Sequence, residues 1–153
     1  LVIGLLTEQL AVVAVFTLSF MVLRSYTGGY HSDSRIFCYL GSNLVLLVPV
    51  YTQAVFRKTS TEWLLAVLLV SAGIIFLLSP MHSKNRKLDK EEQKHFGRKA
   101  RLTAALELAV LGILWHAGQI PYAYAVYTGI CITALFMLVG KAQLWIQSHT
   151  ENG

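Results

Sequence analysis

The chain has 153 residues, of which 55% are hydrophobic and only 14% charged, with a formal net charge of +5. An ordinary soluble domain carries roughly 25% charged residues, and one this small has no core large enough to hide so much apolar surface, which argues against a water-soluble globule. The basic balance does not point to nucleic acid either. Eight of the thirteen Lys and Arg residues fall in one stretch, Lys84 to Arg101, between two apolar runs and with no recognition motif beside them.

Five apolar segments follow one another, of a length suited to a bilayer core, which takes about 20 helical residues. The first runs from about Leu5 to Leu23, with Glu8 and Gln9 near its start. It lacks the basic leader and small-residue cleavage site of a signal peptide. The chain opens at Leu1 rather than methionine, so an upstream segment is expected. The second, Ile36 to Phe56, contains Ser42, Asn43 and Pro49, tolerable where neighbouring helices cover the polar groups. The third, Trp63 to Leu78, is the most purely apolar. The fourth, Leu102 to Gln119, carries Glu107 and His116, and the acid makes it the weakest span. The fifth, about Tyr122 to Ile146, begins just after Pro121, which suits a first helical turn.

Only helices or closed barrels satisfy every backbone amide in lipid, and the alternation of barrel strands is absent. The expected fold is therefore all-α: a polytopic transmembrane bundle of about five spans forming one domain over residues 1–153. If all five cross, segments 24–35, 80–101 and 141–153 share one side and hold eleven basic residues, against Arg57 and Lys58 on the other. The positive-inside rule then places 24–35 and the basic loop 80–101 at the cytoplasmic face of the membrane. The loop also holds Asp89, Glu91 and Glu92, and its later part has helical composition. Trp63 and Trp145 read as interfacial anchors.

Chemistry concentrates in residues 24–42, RSYTGGYHSDSRIFCYLGS. Gly28-Gly29 breaks the backbone just after an apolar helix, His31 follows at once, and Cys38 comes seven residues later. A cysteine nucleophile needs a base beside it, because a thiol of pKa about 8.5 is only a few per cent ionised at neutral pH. On one straight helix, residues seven apart are separated by roughly 10.5 Å of rise, far beyond the roughly 3 Å over which a proton is exchanged. A His31–Cys38 dyad therefore requires a bend between them. Taken alone, a cysteine at a helix start is more often packing than catalysis, and an interfacial histidine more often merely solvated. Cys131 lies in an apolar helix with no basic partner and reads as inert. His82, His95 and His149 form no ligand spacing, so no metal and no cofactor are expected.

Arg24, then Gly28, Gly29 and His31, then Cys38 seven residues past the histidine, resemble the signature of the accessory gene regulator B (AgrB) family. Ser79-Pro80 through Asn85-Arg86-Lys87-Leu88 and the Glu91-Glu92 pair resemble the basic loop of that family. The resemblance implies a membrane cysteine endopeptidase of peptide quorum sensing, with an amphipathic segment upstream and a homodimer as its assembly. Its substrate would be an AgrD-like propeptide, held as a thioester and released as a cyclic thiolactone or lactone. It implies Cys38 as nucleophile and His31 as base. Supporting roles are softer. Arg24 would position the substrate or anchor the helix end, and Gly28 and Gly29 would supply backbone shape and amides for an oxyanion. Asp33 orients His31 or is a solvated loop acid, and Ser42 bonds substrate or packs between helices. The rival reading is a small non-enzymatic membrane protein or peptide transporter subunit, in which Arg24 and His31 line a path.

Overall fold

The computed structural model describes residues 9–27, 44–79 and 90–150, and among these residues every regular element is a helix. They are α1 (Leu10–Thr27), α2 (Gln53–Lys58), α3 (Thr61–Leu78), α4 (Lys90–His116) and α5 (Ile120–Thr150). A helical stretch, 44–51, leads into α2 with a bend at Thr52. Pro49 in that stretch cannot donate a backbone hydrogen bond.

α1 runs four residues beyond the expected end at Leu23. In its polar last turn the Ser25 and Thr27 hydroxyls donate back to the Met21 and Leu23 carbonyls, at 2.7 and 3.0 Å, so both side chains find partners within the helix. α4 likewise takes in residues 90–101, the later part of the expected loop. At about 1.5 Å per residue this helix is roughly 40 Å long, longer than the about 30 Å bilayer core.

α4 and α5 form a tight helical hairpin. Gly118, at φ 72°, ends α4 in the left-handed conformation. Its amide donates to the Trp115 carbonyl (3.1 Å), and that of Gln119 donates to the Leu114 carbonyl (2.9 Å). This is the Schellman pattern of hydrogen bonds. Pro121 follows in the first turn of α5, where a missing N–H costs nothing.

α5 is the central helix. Of its apolar window, 67% is buried inside the protein, against 33% for that of α1 and 22% for α3. One core cluster joins Leu23 of α1, Leu68 and Ile75 of α3, Ala104 and Leu111 of α4, and Val126, Ile130 and Met137 of α5. A second joins Val12 and Phe16 of α1 to Ala125 and Ile132 of α5, with Val45, Leu46 and Val48 against it. The outer faces of α1 and α3 expose Leu18, Met21, Leu69, Val70 and Leu77, a surface suited to lipid.

Pairings between the helices fix their directions. Ser19 and Arg24 of α1 meet Gly129 and Phe136 of α5, so these two run parallel. Ser19 also meets Glu107, and Tyr26 meets Lys99, so α4 runs opposite to both. Arg101 meets Phe76, which brings the end of α3 to the same level. The flanks Arg24–Thr27 and Lys90–Arg101 therefore share one end of the bundle. Phe56 packs on Trp115, Tyr124 and Tyr127 at the other end, 6.1, 4.5 and 5.3 Å between ring centroids, with Arg57 and Lys58 following it. Thr52 and Tyr124 share a hydroxyl–hydroxyl hydrogen bond there.

Against the expected five spans, three helices are long and apolar enough to cross a membrane among the described residues: Leu10–Thr27, Thr61–Leu78 and Ile120–Gln143. The fourth segment is the apolar half of α4, and its polar first turns and Glu107 keep it below that mark. The second segment is described only from residue 44, where it is helical.

Candidate functional site

Of the candidate catalytic and supporting residues, Arg24 is the one the structure describes. His31 and Cys38, with Gly28, Gly29, Asp33 and Ser42, lie outside the described residues. The structure thus defines the platform from which residues 28–43 depart.

That platform is built from the ends of three helices. The Arg24 guanidinium carbon lies 5.6 Å from the Phe20 ring centroid, one turn back on α1, and 4.8 Å from that of Phe136 on α5. A cation between two aromatic rings in a half-buried position is held by each ring's quadrupole, worth roughly 0.5–2 kcal/mol. Lys99 Nζ is 5.9 Å from the Tyr26 ring centroid. Arg101 Nε donates to the Phe76 carbonyl at 3.2 Å. That carbonyl belongs to the last turn of α3, where backbone acceptors lack helical partners and a cation opposes the helix dipole. Thr27 and Ala100 are fully buried and Ser79 nearly so, which closes this end with small side chains. The Ser79 hydroxyl has no hydrogen-bond partner among the described residues. Three cations are therefore clamped at the end where α1 hands over to residue 28.

Deeper in the bundle the Ser19 hydroxyl donates to Glu107 Oε2 at 2.8 Å, linking α1 to α4. Gly129 of α5 lies against this bond; a Cβ there would stand 2.8 Å from Ser19 Oγ. The sequence marks Glu107 as a cost to insertion but does not reveal its partner, 88 positions away. An acid inside a membrane bundle faces inward and pairs, and here it pairs with a serine. Cys131 sits half-buried on α5 with its thiol in hydrogen-bonding reach of Ser71 and Tyr127.

A cavity of about 350 Å³ opens between α3, α4 and α5 at the Trp115 end. Its walls are mostly apolar, five leucines among them, with Thr61, His116 and Tyr127 as polar side chains. Nothing in the sequence spacing announces it, because its lining comes from four separate elements.

No curated protein and no solved structure matches the chain. Residues 1–138 match the family described as Accessory gene regulator B.

Proposed function

Because the chain belongs to the accessory gene regulator B family, and so to quorum-sensing peptide processing, we propose that it is a membrane cysteine endopeptidase that cleaves and cyclises an AgrD-like propeptide. The observation that carries this reading is the family match over residues 1–138, a range that contains Arg24, Gly28-Gly29, His31 and Cys38.

His31 takes the proton of the Cys38 thiol, and the thiolate attacks the scissile carbonyl of the propeptide. The peptide C–N bond breaks, the departing amine receives the proton from His31, and the N-terminal fragment stays on Cys38 as a thioester. A Cys or Ser side chain within the same fragment then attacks the thioester carbonyl, giving a thiolactone or lactone ring and returning Cys38 as the thiol. Partial exclusion of water at the membrane boundary favours this internal attack over hydrolysis. The bend that the seven-residue spacing demands between His31 and Cys38 is assigned to the polar run Ser32-Asp33-Ser34, and the amides of Gly28 and Gly29 are assigned to the oxyanion. Asp33 orients His31, and Ser42 bonds the substrate backbone.

The described platform supports this arrangement from below. Arg24, braced between Phe20 and Phe136, fixes the end of α1 four residues before Gly28, so the segment starts from a rigid base. The reaction is placed at the cytoplasmic face, where the basic flanks Arg24 and Lys90–Arg101 gather, and the chain works as a homodimer in the membrane.

Co-expression with an AgrD-like propeptide, followed by mass spectrometry, tests the proposal. Cys38→Ala is expected to abolish cleavage and ring formation, and His31→Ala to slow them by about 10²- to 10⁴-fold, the usual worth of a general base. Normal processing in both variants would overturn it.

A further inference from the structure

We propose that the cavity at the Trp115 end holds one acyl chain of an anionic phospholipid, with the lipid phosphate at Arg57 and Lys58. This inference is independent of the catalytic reading.

Lining decides the class of occupant. The cavity of about 350 Å³ is walled mainly by apolar side chains of three long helices, and an extended hydrocarbon chain of the surrounding bilayer suits such a space. Depth agrees. Thr61 and Leu68 both line the cavity, and their seven-residue separation spans roughly 10 Å of α3, inside the about 15 Å that one leaflet contributes to the hydrocarbon core. The walls made by Phe56, Leu65, Leu68, Leu108 and Trp115 offer apolar contact. Gly112 leaves room on the α4 side, since a Cβ built there meets nothing within 4 Å.

Charge decides the headgroup. Phe56 forms part of the wall, and the next two residues, Arg57 and Lys58, are exposed at the same end. They sit in the last turn of α2. A phosphate there accepts charge-assisted hydrogen bonds from both. Glu62 is the acid at this end; at 100° per residue it points roughly 110° away from the Thr61–Leu64–Leu65–Leu68 face of α3.

The test is native mass spectrometry of the full chain released from nanodiscs of equal parts phosphatidylglycerol and phosphatidylcholine. Wild type is expected to retain one phosphatidylglycerol per chain. Gly112→Leu, which fills the cavity from its open side, lowers the retained fraction at least tenfold. Gly73→Leu makes the same change at another glycine with nothing within 4 Å of its Cβ, on a face of α3 turned away from the cavity, and leaves retention unchanged. The double variant Arg57→Gln/Lys58→Gln removes the preference for phosphatidylglycerol. Wild-type retention in Gly112→Leu, or equal loss in Gly73→Leu, would overturn the cavity assignment. Equal retention of both lipids by wild type would overturn the phosphate assignment. If Gly112→Leu melts far below wild type, Leu65→Trp narrows the same space from α3 and is read by the same outcomes.

Discussion

Replacing Gly129 by alanine tests how the buried acid is held. The added Cβ would lie 2.8 Å from Ser19 Oγ, 3.3 Å from Ser19 Cβ and 3.5 Å from the Phe20 amide nitrogen. The first distance is shorter than real Cβ contacts, so either α1 and α5 separate or the serine hydroxyl turns away. Separation is an overpacking cost of about 1–3 kcal/mol. Turning forfeits the Ser19–Glu107 bond, which as an interhelical hydrogen bond in a membrane protein is worth about 0.6–1.7 kcal/mol. The cheaper of these routes, with residual crowding at Cβ, gives an expected destabilisation of about 2 kcal/mol. Ser19→Ala should cost about 1 kcal/mol alone, by losing the donor to Glu107. In the double variant the hydroxyl is gone and the shortest contact disappears with it, so the two costs should fall short of additivity by about 1 kcal/mol. Reversible unfolding in bicelles, followed by SDS titration, measures all four corners of the cycle. Strict additivity, or a Gly129→Ala chain as stable as wild type, would refute the account of how Ser19, Glu107 and Gly129 fit together.

Two further expectations concern other parts of the bundle. Gly118→Ala forces a side chain into the left-handed region at φ 72° and should cost about 1–2 kcal/mol, with Gly118→Asn costing less; the same unfolding assay reads both. Phe56→Ala removes a ring that is 7% exposed and packed on three aromatic neighbours. It should cost about 3–5 kcal/mol and release the Thr52–Tyr124 pair, visible as a change in tyrosine fluorescence.

The helices were legible because lipid leaves the backbone so few choices, and hydropathy alone places four of the five near their observed positions. Which helix lies at the centre was not legible. Thr61–Leu78 is the most apolar of the three spanning windows and yet the least buried, at 22%, while Ile120–Gln143 is 67% buried. The physical reason is that lipid selects for apolarity, whereas close helix packing selects for small residues. α5 accordingly brings Ala123, Ala125, Thr128, Gly129, Thr133 and Ala134 into the interior, and these dilute its hydropathy. Boundaries slipped where polar side chains found partners within the helix, as at Ser25 and Thr27. Glu107 looked like an argument against a span because its partner lies on a helix distant in sequence. The reading of the catalytic segment rests on residue types and spacing, with Arg24 as its structural footing. Its other members, from Gly28 to Ser42, lie beyond the described residues.

The three-residue connection at Ala117–Gln119 also constrains how the protein is made. The apolar part of α4 from Leu102 to Trp115 is about 21 Å long at 1.5 Å per residue. It carries a carboxyl group that translocon scales charge with a few kcal/mol, so it enters lipid poorly by itself. Tied by so short a link to α5, it descends with that helix as a single folded arm, and the serine waiting on α1 receives the acid on arrival. A chain truncated after Gly118 would leave the first half of this hairpin without the partner that carries it into lipid.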